Sequence, residues 1–124
     1  NVGNHSTSLP INIGVTMATP VDNNGMPIRN LLDIGQLPVY TLSATAGGAT
    51  VQVTDPGRAL ISGRWVDIGK TKGPVLRGLA ARAPYFHNGS ARDLRAVVDF
   101  YNARFAIGLD EREVADLIAF LAAL

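Results

Sequence analysis

Two consecutive stretches at the C-terminal end of this 124-residue chain, Ser90–Phe105 and Asp110–Leu124, place apolar residues at helical spacing behind polar caps. In the first, Leu94, Val97, Val98, Tyr101 and Phe105 recur at three- and four-residue intervals; Ser90 and Asp93 form an S-x-x-D cap, and Gly108 closes the pattern. In the second, Asp110 and Glu113 form the cap, and Val114, Leu117, Ile118, Leu121 and Leu124 form the stripe. An amphipathic helix must bury its stripe against something. With a linker this short, the two helices, near Arg92–Phe105 and Glu111–Ala123, are expected to pack on each other as an antiparallel or crossed pair. Leu94, Val97, Val98, Leu117, Ile118 and Leu121 are the expected core.

The rest of the chain is less periodic. Residues 1–36 are rich in Gly, Asn, Pro, Ser and Thr and read as extended loop, with a tight turn at Asn23-Asn24-Gly25 and a short helix over Pro27–Ile34. Residues 37–53 read as a small hairpin, Leu37–Leu42 pairing with Thr50–Val53 around Gly47-Gly48. An isolated hairpin is marginal in water, so it must lean on another element. Residues 55–124 read as the helical core. Asp55 would cap a helix running to Ile61, with Pro56 at its first position and Gly63 at its end, and Leu76–Arg82 is a second short helix stopped by Pro84. The length fits one domain. The expected fold is mainly α, with a small β-hairpin and a long irregular N-terminal segment.

Composition narrows the function classes. Eleven basic against ten acidic residues leave a formal charge of +1, too weak a field to argue for nucleic acid or an anionic membrane. No apolar run has the length of a membrane span. The absence of Cys excludes disulfides, thiol catalysis and thiolate zinc sites, and His5 and His87 alone make no structural zinc site. Gly-x-Ser-x-Gly, His-Glu-x-x-His and paired catalytic carboxylates are missing, so nothing supports hydrolysis. Gly69-Lys70-Thr71 looks like the end of a phosphate-binding loop, but five residues rather than four separate Gly63 from Gly69, and the strand-then-helix context is absent.

The segment Ala83–Ser90 carries the chemistry. Pro84 breaks the preceding helix, Tyr85 and Phe86 supply flat apolar groups, Asn88-Gly89 turns the chain, and Ser90 starts the next helix. His87 then sits at the tip of a rigid corner, either as a structural histidine or as part of a site. Tyr101, fourteen residues further on and on the inner stripe of its helix, reads from the residues as a core tyrosine with its hydroxyl bonded to backbone. Met17 and Met26 are either thioether ligands or gap fillers. Trp65 is either the edge of a binding site or the anchor of a surface loop turned by Asp67 and Gly69.

The run Gly73–Tyr101, GPVLRGLAARAPYFHNGSARDLRAVVDFY, resembles the C-terminal haem domain of the bacterial di-haem cytochrome c peroxidase and methylamine-utilisation (MauG) family. The resemblance covers most of the chain and is strongest from Asp55 to Leu124. It implies a cytochrome c-like helical fold and a haem c as cofactor. In that family a Cys-x-x-Cys-His motif holds the haem, just upstream of a stretch resembling Asn1–Ser6, so the chain reads as a processed or excised piece that starts after the motif.

By the same resemblance, Tyr85, Phe86, His87 and Tyr101 contact the haem, and Tyr101 ligates its iron where the peroxidase branch has Met. A hard phenolate favours ferric iron and a lower potential. The loop Arg64–Gly73 would run beside the haem. The backbone carbonyls of Arg82 and Pro84 would contribute to a calcium between two haem domains, although the family often has Thr where Arg82 stands. The implied setting is the periplasm, and the implied role is electron transfer within a peroxidase-like oxidoreductase. The implied partners are an N-terminal haem domain or haem-bearing segment and a redox protein. A haem-free piece would be inactive by itself and would self-associate, with Tyr85, Phe86 and Phe100 seeking cover. The competing expectation is a haem-less interaction module on the same scaffold.

Overall fold

In the computed structural model, which describes residues 10–124, the loop-like N-terminal part is extended and structural. Ile11 pairs with Thr71 through two backbone hydrogen bonds of 2.9 Å. The Thr16 carbonyl accepts from the amide and hydroxyl of Thr54, and the Ala18 amide donates to the Gln52 carbonyl. Ile13, Val15 and Thr16 are buried as a result. The Asn23–Gly25 turn forms, closed by Asp22 Oδ1, which accepts from the amides of Asn24 and Met26. The helix expected over Pro27–Ile34 shrinks to a single 3-10 turn, Arg29–Leu31, which drops Ile28, Leu32 and Ile34 into the core.

Strands β1 (Tyr40–Ser43) and β2 (Thr50–Val53) form an antiparallel hairpin, in register Tyr40↔Val53 to Ser43↔Thr50. Gly47 and Gly48 turn it at φ of 91° and 66°, a region open to glycine. The hairpin leans on the N-terminal segment through the Met17↔Val53 bridge, which buries Val53.

The next helix, α1 (Ala59–Ser62), has only one turn. Asp55 does not cap it: Arg58 stands at the N-cap, and Asp55 Oδ1 instead accepts the Gly57 amide at 2.7 Å in a local turn. Gly63 ends α1 in the left-handed region as expected. A 3-10 turn, Trp65–Asp67, follows, and the helix expected over Leu76–Arg82 is another 3-10 turn, Leu79–Arg82.

The two C-terminal helices are α2 (Leu94–Phe105) and α3 (Glu111–Ala122). Asp93, not Ser90, caps α2 by accepting the Ala96 amide at 2.8 Å. Asp110 and Glu113 form the expected reciprocal capping box of α3. Ala106, at φ 50°, ends α2 two residues before Gly108, which was expected to do so. Asn102 holds that linker: its Oδ1 accepts the amides of Gly108 and Leu109, and its Nδ2 donates to the Leu109 carbonyl. Arg95 bridges the helices from outside, contacting Asp99 and Glu111.

Phe100, Leu94, Val98 and Val114 are buried. Contrary to expectation, Val97, Ile118 and Leu121 are only partly covered, and Leu117 is 36% exposed. Phe100 is fully buried inside the chain, and Tyr85 is 8% exposed, so neither seeks cover from a second molecule.

The mainly α, cytochrome c-like expectation is overturned. Helix of all kinds accounts for 33% of the described residues and strand for 13%, so more than half lies in turns and extended segments. The short periodic stretches after Asp55 and Leu76 are bounded by Pro and Gly. They have too few residues to repay helix nucleation and stop at one turn.

Candidate functional site

The half-covered faces of α2 and α3 open onto a cavity of about 650 Å³. Val97, Val98 and Tyr101 of α2 form one wall, and Leu117 and Leu121 of α3 form another. Ile11, Ile13 and Val15 of the N-terminal segment line it as well, as do the loop from Thr71 to Leu76 and the corner Pro84–His87. The volume is in the range of pockets that enclose a drug- or cofactor-sized molecule. Val97, Leu117 and Leu121, which failed to bury as core residues, therefore line this space, whereas Ile118 packs against the core.

The corner is built as a closed loop. Tyr85 and Ala91 pair through two backbone hydrogen bonds of 2.6 and 3.3 Å, which forces residues 86–90 to bulge between them. Asn88 stabilises the bulge from within, accepting the Ser90 amide and donating to the Val15 carbonyl. Phe86 takes φ 62°, an unfavourable region for a side chain of its size, and is held there by the bridge and by its packing. Its ring meets Phe100 edge-on at 5.2 Å and Tyr101 at 6.1 Å. Tyr85 is buried, and its hydroxyl donates to the Leu79 carbonyl at 3.1 Å, tying the corner to the preceding turn.

Tyr101 stacks on Phe105 and meets Phe100 edge-on. Burial pushes its phenol above the usual tyrosine range. Among the described residues its hydroxyl has no hydrogen-bond partner. His87 lies at the cavity mouth, and its Nε2 is 2.7 Å from Asp55 Oδ2. Arg82 and Pro84 also border the cavity. Tyr85, Phe86, His87, Tyr101, Arg82 and Pro84, singled out from the sequence, thus surround one space.

The other candidates stand apart from it. Met17 and Trp65 line a separate, smaller cavity of about 210 Å³ beside β2, and Met26 lies exposed in the Asp22 turn. The Trp65–Asp67 turn is anchored by Asp67, whose carboxylate is held below its usual range by the Ser62 hydroxyl and the Lys70 ammonium. His5 lies outside the described residues. No group of three or more His, Cys, Asp or Glu residues gathers among the described residues. Among the described residues, no helix is long and apolar enough to cross a membrane.

Sequence reasoning missed two contributions to the site. Asp55 was read as a helix cap, and nothing in its spacing marks it as the partner of a histidine 32 residues away. Ile11, Ile13 and Val15 lay in a stretch read as loop, where a short alternation of apolar residues was the available signal.

Part of the chain is similar to proteins named cytochrome-c peroxidase. It is 42% identical over 69 residues to Cytochrome-c peroxidase IdrP1 of Denitromonas iodatirespirans, covering 47% of this chain and 18% of that protein. It is 42% identical over 78 residues to Cytochrome-c peroxidase IdrP2 of the same organism, covering 57% and 21%. It is 39% identical over 69 residues to Cytochrome-c peroxidase IdrP1 of Pseudomonas sp. (strain SCT), covering 47% and 18%. The match thus spans about a fifth of the length of these curated relatives. No protein-family profile and no solved structure matches the chain.

Proposed function

We propose that this chain forms one wall of a haem c pocket, as the C-terminal part of an electron-transfer haem domain in a periplasmic, cytochrome c peroxidase-like oxidoreductase. The observation that carries the reading is the cavity of about 650 Å³, whose walls bring together the Pro84–His87 corner and Tyr101. Partial similarity to three proteins named cytochrome-c peroxidase supports the redox class.

The residues present fit such a group. Aliphatic side chains from α2, α3 and the N-terminal segment offer an apolar bed for a flat macrocycle, and Phe86 and Tyr101 offer aromatic contact. Tyr101 brings to the cavity a phenol with no hydrogen-bond partner among the described residues, and its phenolate would suit a hard ferric ion. Burial keeps that phenol protonated in the metal-free chain, and an adjacent cation reverses the preference. Asp55 fixes the imidazole of His87 at the mouth. Bound haem would supply one-electron exchange and, in the parent protein, peroxide reduction or substrate oxidation. The chain has no Cys, so the covalent anchors come from residues other than these. An N-terminal haem domain is the proposed partner. The carbonyls of Arg82 and Pro84 are proposed as ligands of a shared calcium, since a hard cation suits carbonyl oxygen.

The test is a parent protein that includes the haem-bearing segment. There, Tyr101→Phe should abolish the phenolate-to-iron charge-transfer absorption, and Tyr101→Met should raise the potential. Unchanged spectrum and potential in both variants would reduce Tyr101 to a packing residue. A folded protein that never shows a Soret band would favour the haem-less interaction module instead.

A further inference from the structure

We infer that Lys72 and Arg82 form a cationic rim on this cavity that holds the carboxylates of its flat, apolar ligand. The inference rests on the haem-pocket reading above and adds which residues anchor the ligand's polar edge.

The cavity is lined almost throughout by apolar side chains, and it has no Asp or Glu in its wall. Lys72 and Arg82 are its lysine and arginine, and both are exposed at the opening. Arg58 and Lys70 share Asp67, Arg92 meets Asp93, and Arg95 meets Asp99 and Glu111, whereas the other lysines and arginines have no carboxylate partner among the described residues; what sets Lys72 and Arg82 apart is their place on the cavity wall. Arg82 is held in place, because its Nη1 donates to the Val75 carbonyl at 2.9 Å, which leaves the rest of the guanidinium fork free. Its planar donors suit a carboxylate, and Lys72 adds a second point charge. An apolar interior with two unpaired cations at its mouth selects an amphipathic ligand with an apolar body and acidic groups on one edge. The two propionates of a porphyrin have that arrangement.

The experiment titrates the 124-residue chain with iron protoporphyrin IX, followed by Soret absorbance and quenching of Trp65 fluorescence, in wild type, Lys72→Ala, Arg82→Ala and the double variant. The dimethyl ester of the same porphyrin serves as the probe without charges. Each single variant should bind the free acid about 2- to 5-fold more weakly, the double variant more weakly still, and added salt should weaken the wild type most and the double variant least. The ester should bind wild type and double variant alike. If the free acid binds all four proteins equally, the rim does not hold the carboxylates, while the haem-pocket reading stands. If neither porphyrin binds wild type, this inference fails, and the haem-pocket reading is decided separately by the spectra of the parent protein that includes the haem-bearing segment. Arg82→Ala also removes a bond to Val75, so circular dichroism must show it folded. Lys72→Ala breaks no side-chain hydrogen bond among the described residues and decides the matter alone if Arg82→Ala does not fold.

Discussion

His87 Nε2 and Asp55 Oδ2 lie 2.7 Å apart, joining the corner before α2 to the turn before α1 across 32 residues of sequence. Asp55 has two duties, since its other oxygen accepts the Gly57 amide. Asp55→Asn keeps an acceptor for the turn and loses the charge, whereas Asp55→Ala loses both. Both side chains are partly exposed, so solvent screens the pair. Urea denaturation should show a larger loss for Asp55→Ala than for Asp55→Asn, and a double-mutant cycle with His87→Ala should give a coupling of about 1 kcal/mol or less. A coupling near zero would make the contact incidental.

Phe100 and Leu117 separate core from lining. Phe100 is fully buried against Phe86 and Tyr101, and its replacement by Ala should cost about 3–5 kcal/mol. Leu117 faces the cavity and is 36% exposed, so Leu117→Ala should cost about 1 kcal/mol or less in the ligand-free chain. The same change should weaken binding of an apolar ligand. Equal destabilisation in a chemical denaturation series would place Leu117 in the core after all.

Tyr101 has a sign that can be checked. Its folded phenol ionises above the usual tyrosine value near 10 because burial disfavours the phenolate. A raised folded pKa means that this contribution to stability is fully present below about pH 10 and is lost as pH rises through the folded value. Ultraviolet titration of wild type minus Tyr101→Phe should show one tyrosine ionising late. The stability difference between the two proteins should shrink at alkaline pH. A difference titration centred at or below pH 10 would contradict the buried placement.

Asn102 holds the α2–α3 linker with three side-chain hydrogen bonds. Asn102→Ala should cost about 1–3 kcal/mol, since it leaves two amides and a carbonyl without those partners. Amide exchange should accelerate most at Gly108 and Leu109. Unchanged protection at both positions would mean that the linker is held by the helix packing alone.

The long C-terminal patterns were legible in sequence because their signals are local. The Asp110 and Glu113 capping box, and the apolar spacing of α2, act within a few residues of themselves. So did the Gly47-Gly48 turn and the left-handed stop at Gly63. The corner Ala83–Ser90 could likewise be read as a break followed by a tight turn, and its resemblance to a haem-domain signature singled out Tyr85, Phe86, His87 and Tyr101. The short helices failed because periodicity over one or two turns does not outweigh the cost of nucleation, and the mainly α expectation failed with them.

Tertiary structure alone decided which apolar stripe residues became core and which became lining. Leu94 and Leu117 look alike in a helical pattern, yet one is buried and the other faces the cavity. That difference depends on how far apart the helices, the N-terminal strand-like segment and the corner stand, a distance that no local spacing encodes. The pairing of Asp55 with His87 and the burial of Ile13 and Val15 arise in the same way, from contacts between segments distant in sequence. The sequence by itself determined the capping box of α3, the stop of α1 at Gly63 and the chemical inventory of the corner; packing decided that this inventory encloses a space.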